Sequence, residues 1–181
     1  MSETWKNTLT LALGIALLPP LWAVAAPHIG VATGAVALIC AGLYVTNGNR
    51  VSDAARISVG FLLGDAWAVL AILLMAWMPL NESLETFILL FVLGGLAVII
   101  GALFPKLIFT PAWLCGWAIG LTVMAPCGAA QLGSLSIQIG MSMLVGVWYV
   151  GAGVDVFQKA LLRRLNGGMQ HDDLCGTYGP A

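Results

Sequence analysis

From Ile57 to Leu80 the chain runs through twenty-four residues with a single charged side chain, Asp65. A helix that crosses a bilayer needs about 20 mostly apolar residues, with a range of roughly 17 to 25. A stretch like this therefore belongs in a membrane. Five more have the same character, and the six run from Thr8 to Ala26, Ile29 to Val45, Ile57 to Leu80, Leu84 to Phe104, Leu107 to Ala125 and Leu135 to Phe157. Only 8% of the 181 residues are charged and the mean hydropathy is +0.98, against roughly 25% charged in an ordinary soluble domain. The fold expected is all-α, a polytopic membrane protein with six transmembrane helices. One membrane domain over residues 1–165 takes up nearly the whole chain, leaving residues 166–181 as a polar, Gly-rich cytoplasmic tail read as disordered.

Short cytoplasmic loops collect Lys and Arg whichever helices they join. Lys6 precedes span one, Arg50 and Arg56 lie between spans two and three, Lys106 separates four and five, and Lys159, Arg163 and Arg164 follow six. All seven then fall on one side, and a five-span or seven-span count would scatter them. Both termini are expected in the cytoplasm. Lys6, the apolar run from Leu9 to Leu18 and the string "AVAA" together resemble a cleavable signal peptide, but the segment is read as a retained first span. Trp5, Trp22, Trp77, Trp113 and Trp117 fall near span ends, as the headgroup preference of indole would place them, whereas Trp67 and Trp148 lie deeper.

Small residues four apart recur: Gly30 and Gly34 in span two, Gly60 and Gly64 in span three, Gly116 and Gly120 in span five. This spacing lets helix backbones approach closely, either within the chain or between copies of it. Three spans followed by three more give halves of opposite orientation, the geometry of a 3+3 inverted repeat. A proline followed by G-x-x-x-G opens both span two and span five, and spans three and six each carry an acid followed two residues later by an aromatic. Pro19 and Pro20 in span one each remove a helix hydrogen bond, so an interruption or bend is expected there.

Asp65 lies about eight residues inside span three, too deep for a short side chain to reach the headgroups. An acid at a helix centre costs about 2.5 to 3.5 kcal/mol on the insertion scale. It must face protein or water, and no Lys or Arg lies at comparable depth to pair with it. Asp155, four residues before Lys159, reads instead as half of an interfacial ion pair. The remaining polarity of the spans is hydroxyl or amide, and several such residues, among them Ser134, Ser136, Gln138 and Ser142, gather at the start of span six. The four cysteines have no C-x-x-C spacing, and His171, Asp172, Asp173 and Cys175 read as a solvated tail, so neither metal nor cofactor is expected. A net charge of -1 gives no case for nucleic acid. No acid pair or nucleophile constellation points to an enzyme.

The segments "PLWAVAAPHIG", "AGLYVTNG", "SVGFLLGDAWA", "FPKLIFTPAWLCGWAIG" and "MLVGVWYVGAGVD" resemble a family of small bacterial inner-membrane proteins known as domain of unknown function 1097, over roughly Leu11 to Leu162. The resemblance implies a membrane fold placed in a bacterial inner membrane and carries no functional residue. The residues themselves point to an oligomeric channel or facilitator for a small, weakly polar solute, its pathway bordered by Asp65, Trp67, Trp148 and Tyr149. Two other readings fit the same residues: a non-transporting membrane subunit that stabilises or recruits a partner complex, and a proton-coupled transporter using Asp65. The partners expected are the lipid bilayer, further copies of the chain and the solute.

Overall fold

The computed structural model describes residues 3–48, 50–78, 81–127 and 132–175, without the side chains of residues 3, 82 and 165–175. Among these residues every regular element is a helix: α1 (Glu3–Ala25), α2 (Val36–Thr46), α3 (Val51–Trp77), α4 (Glu82–Leu103), α5 (Thr110–Met124), α6 (Leu132–Val145) and α7 (Gly153–Cys175). A π-helical segment, Gly146–Ala152, joins α6 to α7 without a break. Four helical runs are long and apolar enough to cross a membrane, Thr4–Ile29, Val51–Trp77, Ser83–Leu103 and Leu132–Arg164. The protein is therefore a polytopic helical membrane protein.

Two expected spans are shorter as helices. α2 has 11 residues and α5 has 15, which at 1.5 Å per residue gives about 16 and 22 Å. The apolar run begins at Ile29, but the α-helix begins only at Val36. Gly30 stops it: at φ 79 it caps the 3-10 turn Ala26–Ile29 in the left-handed conformation, and the amides of Gly30 and Val31 turn back onto Pro27 O (3.1 Å) and Ala26 O (3.0 Å). Hydrophobicity is blind to that turn.

Pro19 and Pro20 do not interrupt α1, which continues through both. A proline ring fixes φ near the helical value, which lets the helix run on, while the missing N–H groups leave the carbonyls of Ile15 and Ala16 without their usual partners and the rings crowd those same carbonyls. At the other end of the chain the helix also outruns expectation. α7 stays helical to Cys175, ten residues beyond Leu165, through a stretch that contains no proline to stop it; residues 176–181 lie outside the described residues.

The tightest contact in the bundle is between α3 and α5, which run side by side in the same direction. A Cβ placed on Gly60 would come 2.6 Å from Phe109 O, one on Gly116 would come 2.6 Å from Phe61 O, and one on Gly64 would run into Trp113 O and Trp117 N. Gly60, Gly64, Gly116 and Gly120 are thus used within the chain, and none is left over for a contact between copies. Gly30 and Gly34 form no helix face. Gly30 sits in the turn, while Gly34 lies under Ala26 and its carbonyl accepts a hydrogen bond from Trp22 Nε1 (3.1 Å).

A second close contact mirrors the first. The π segment lies on α2, with the bare backbone of Gly146 against Ala37 and Cys40 and that of Gly151 against the Tyr44 ring. α1 packs on α7, where Gly14 meets Val154 and Gln158 Nε2 donates to Asn7 O (3.1 Å). α4 packs on α3 and α5, and Trp67 Nε1 donates across to Leu93 O (3.1 Å). The core between these pairs is filled by Tyr44, Ile57, Phe61, Ile139, Met143 and Val147, all fully buried. At one end, Asn47 Nδ2 donates to Asp53 (3.1 Å), Asp53 pairs with Arg50 and Arg56, and Arg56 donates to Pro105 O (3.2 Å) above the Phe109 ring. The α2–α3 and α4–α5 connections are tied together there.

Candidate intramembrane site

Asp65 is the fifteenth of the 27 residues of α3 and only 5% exposed. Its Oδ2 accepts a hydrogen bond from Ser136 Oγ at 2.6 Å. Its Oδ1 is buried and has no partner among the described residues. Two glycines flank the carboxylate: a Cβ on Gly120 of α5 would stand 3.5 Å from Oδ1, and one on Gly140 of α6 would stand 3.9 Å from Oδ2. The acid therefore sits where α3, α5 and α6 meet.

α6 reaches this point because its polar residues divide between two faces. Ser136 and Gly140, one turn apart, look toward Asp65; Gln138 and Ser142, also one turn apart, look toward the turn before α2. Gln138 Oε1 accepts from the amide of Ala32 (3.2 Å), and the hydroxyls of Thr33 and Ser142 lie 3.1 Å apart. Backbone outside a helix is tolerated in a membrane only where protein or water satisfies it. The first turns of α6 thus serve both the buried acid and the unwound segment.

The aromatic residues singled out beside Asp65 do not converge on it. Trp67 turns toward α4 and stacks edge-on with Trp113 at 5.2 Å between ring centroids. Trp148, in the π segment, donates from Nε1 to Ser58 Oγ at 3.0 Å. Tyr149 is half-exposed and shares a groove with Leu21, Trp22, Ala25 and Val145. Together the Asp65–Ser136 and Ser58–Trp148 bonds bridge α3 to the α6–π run at two levels. Trp148→Phe should cost about 1 kcal/mol, the usual net worth of one hydrogen bond, as a lowered midpoint in thermal unfolding in mild detergent.

Trp113 and Trp117, expected at the headgroup level, are core residues at 2% and 7% exposed, and neither indole nitrogen has a partner among the described residues. Asp155 is accounted for by its contact with Lys159 Nζ at 2.6 Å. Among the described residues no group of three His, Cys, Asp or Glu side chains could hold a metal ion, and the side chains of His171, Asp172, Asp173 and Cys175 lie outside them. Reading the sequence missed Ser136 as the partner of Asp65, Ser58 as the partner of Trp148, the close approach of Gly120 and the space at Gly140. The gathering of hydroxyls at the start of span six was the one available signal.

A family model described as "Protein of unknown function (DUF1097)" matches residues 12–159. No curated protein and no solved structure matches the chain.

Proposed function

The chain belongs to the DUF1097 family, whose description fixes no activity, and from the geometry we propose that it is a facilitator for a small, weakly polar solute, with Asp65 bordering the pathway. One observation carries this reading: a carboxylate halfway along a membrane helix, almost wholly buried, with one oxygen left unpartnered among the described residues. Ionisable groups at that depth face a bundle interior or a wet pathway and mark routes for ions, protons or substrates. Use of the same oxygen for protons would make the protein a proton-coupled transporter.

In this reading six segments cross a bacterial inner membrane, with both termini in the cytoplasm, and the two sets of three form an inverted repeat. The packing supports it. α3 lies on α5 as the α6–π run lies on α2, α4 lies on α3 as α1 lies on α7, and α3 crosses α6; exchanging the halves leaves this pattern unchanged. The tie from Arg56 to Pro105 supports the orientation, because it brings the connections that carry Arg50 and Lys106 to one end. Fusing a reporter active only in the periplasm to either terminus should give no signal; activity from one fusion would break the six-span arrangement. Apolar surface such as that around Phe87 and Phe91 of α4 is exposed, and lipid and further copies of the chain would share it.

The function is tested with purified protein in liposomes. Entry of urea, small amides, short carboxylic acids and methylammonium, followed by light scattering or by tracer, should be faster than into empty vesicles for at least one of them. No acceleration across that set would end the facilitator reading in favour of a non-transporting membrane subunit.

A further inference from the structure

We infer that the Asp65–Ser136 pair is a seat for the ammonium group of a small cation, ammonium itself or methylammonium. The inference rests on the pathway reading above and names the chemistry of its solute. The bound form is charged, but its conjugate base, ammonia or methylamine, is a small neutral molecule of the class proposed there.

The argument begins with donors and acceptors. A serine hydroxyl has one proton, and that of Ser136 is committed to Asp65 Oδ2 at 2.6 Å. What the ionised pair offers a visitor is acceptors alone: the lone pairs of Oδ1, which meets no partner among the described residues, the second lone pair of Oδ2 and the two lone pairs of the hydroxyl. The visitor must therefore be a donor. Amides and urea also carry a carbonyl that requires a donor, and this pair has none to give. An ammonium group carries only N–H donors and no lone pair.

Charge points the same way. The elements packed around Asp65 bring no compensating cation, since residues 107–154, which include all of α5 and α6, contain no Lys, Arg, His, Asp or Glu. On α3 itself the nearest charged residues are Arg56 and Asp53, nine and twelve positions away, or about 13 and 18 Å along the helix. A monocation would supply the missing charge. Calcium and magnesium fit less well, because they take six or more oxygen ligands and the two side chains here supply three oxygens.

Space is the third element. A Cβ built on Gly140 would meet only Leu62 Cδ2 at 3.4 Å and Asp65 Oδ2 at 3.9 Å, both ordinary contacts. Room for about one heavy atom thus lies beside the carboxylate. On the Gly120 side there is no such room, because a Cβ there would come 2.5 Å from the Ala68 methyl. The seat is open toward α6, on the side of Oδ2 and the Ser136 hydroxyl, and closed toward α5, where Oδ1 lies, so an ammonium group would enter against Oδ2 and the hydroxyl.

The experiment is uptake of labelled methylammonium into proteoliposomes holding the full chain, with unlabelled ammonium as competitor and urea as a comparison solute. Parent protein should accelerate methylammonium uptake, and ammonium should compete. Asp65→Asn, which keeps the shape and removes the charge, should lower uptake at least tenfold; Gly140→Ala, which fills the space without a clash, should lower it severalfold while the protein elutes as the parent does. Acceleration of urea but not of methylammonium would overturn this inference and leave the pathway reading standing, whereas no acceleration of any solute would overturn both. Unchanged methylammonium uptake in either variant would remove the seat from this place.

Discussion

Gly64→Ala is expected to destabilise the detergent-solubilised protein by about 3 kcal/mol, the upper part of the range for overpacking, although the same change in an open helix interior usually gains about 0.5 to 1 kcal/mol. The reversal comes from what the methyl would meet. Around Gly64 the obstacles are Trp113 O, Trp117 N and Gly116 C, all backbone atoms of α5, so no side chain can swing aside to make room. The helices must separate, and the contact between α3 and α5 is the most extensive in the bundle. Gly42 of α2 is the internal comparison, since a Cβ there would find nothing within 4 Å. Unfolding midpoints in a graded detergent series should fall sharply for Gly64→Ala and hold or rise for Gly42→Ala. Equal behaviour of the two would contradict the close α3–α5 contact.

The second large effect separates function from packing at Asp65. Ser136→Ala alone should cost about 1 to 3 kcal/mol, because it leaves a buried carboxylate with neither oxygen satisfied by the protein, whereas removing both partners together should be nearly neutral. The double variant Asp65→Leu, Ser136→Ala, in which leucine keeps the branched shape of the buried acid, is thus expected to fold about as well as the parent. Its solute flux in liposomes should nonetheless fall at least about tenfold, the equivalent of 1.4 kcal/mol. Parental flux in a stable double variant would make the pair a packing detail and withdraw Asp65 from the pathway.

What could be read from the sequence divides along physical lines. Burial in lipid leaves a mark on every residue of a helix, so α1, α3, α4 and α6 were visible as apolar runs, and the isolation of Asp65 was visible with them. Gly60, Gly64, Gly116 and Gly120 announced close backbone contact through their spacing, yet spacing says nothing of which helix is the neighbour. The same limit applied to the tryptophans: Trp113 and Trp117 lie near a span end in sequence and inside the core in space, because α5 is enclosed by α3 and α4. Gly30 is the clearest failure. Its neighbours are apolar, and only its φ of 79 marks the point where the helix expected from Ile29 gives way to a turn. Ser136 was noticed as one hydroxyl among several, since pairing across 71 positions of chain leaves no local pattern.

The shortness of α2 bears on how the protein is made. Its 11 helical residues cover about half of a hydrocarbon core of roughly 30 Å, and the amide of Ala32 and the hydroxyl of Thr33 just before it are matched by Gln138 and Ser142. Those partners are more than a hundred residues downstream, as are the glycines 146 and 151 that receive Ala37 and Tyr44. On the ribosome α2 emerges long before anything exists to complete it. Order of synthesis and order of assembly are therefore opposed: α2 waits, incompletely satisfied, and takes its final place only when α6 and the π segment arrive.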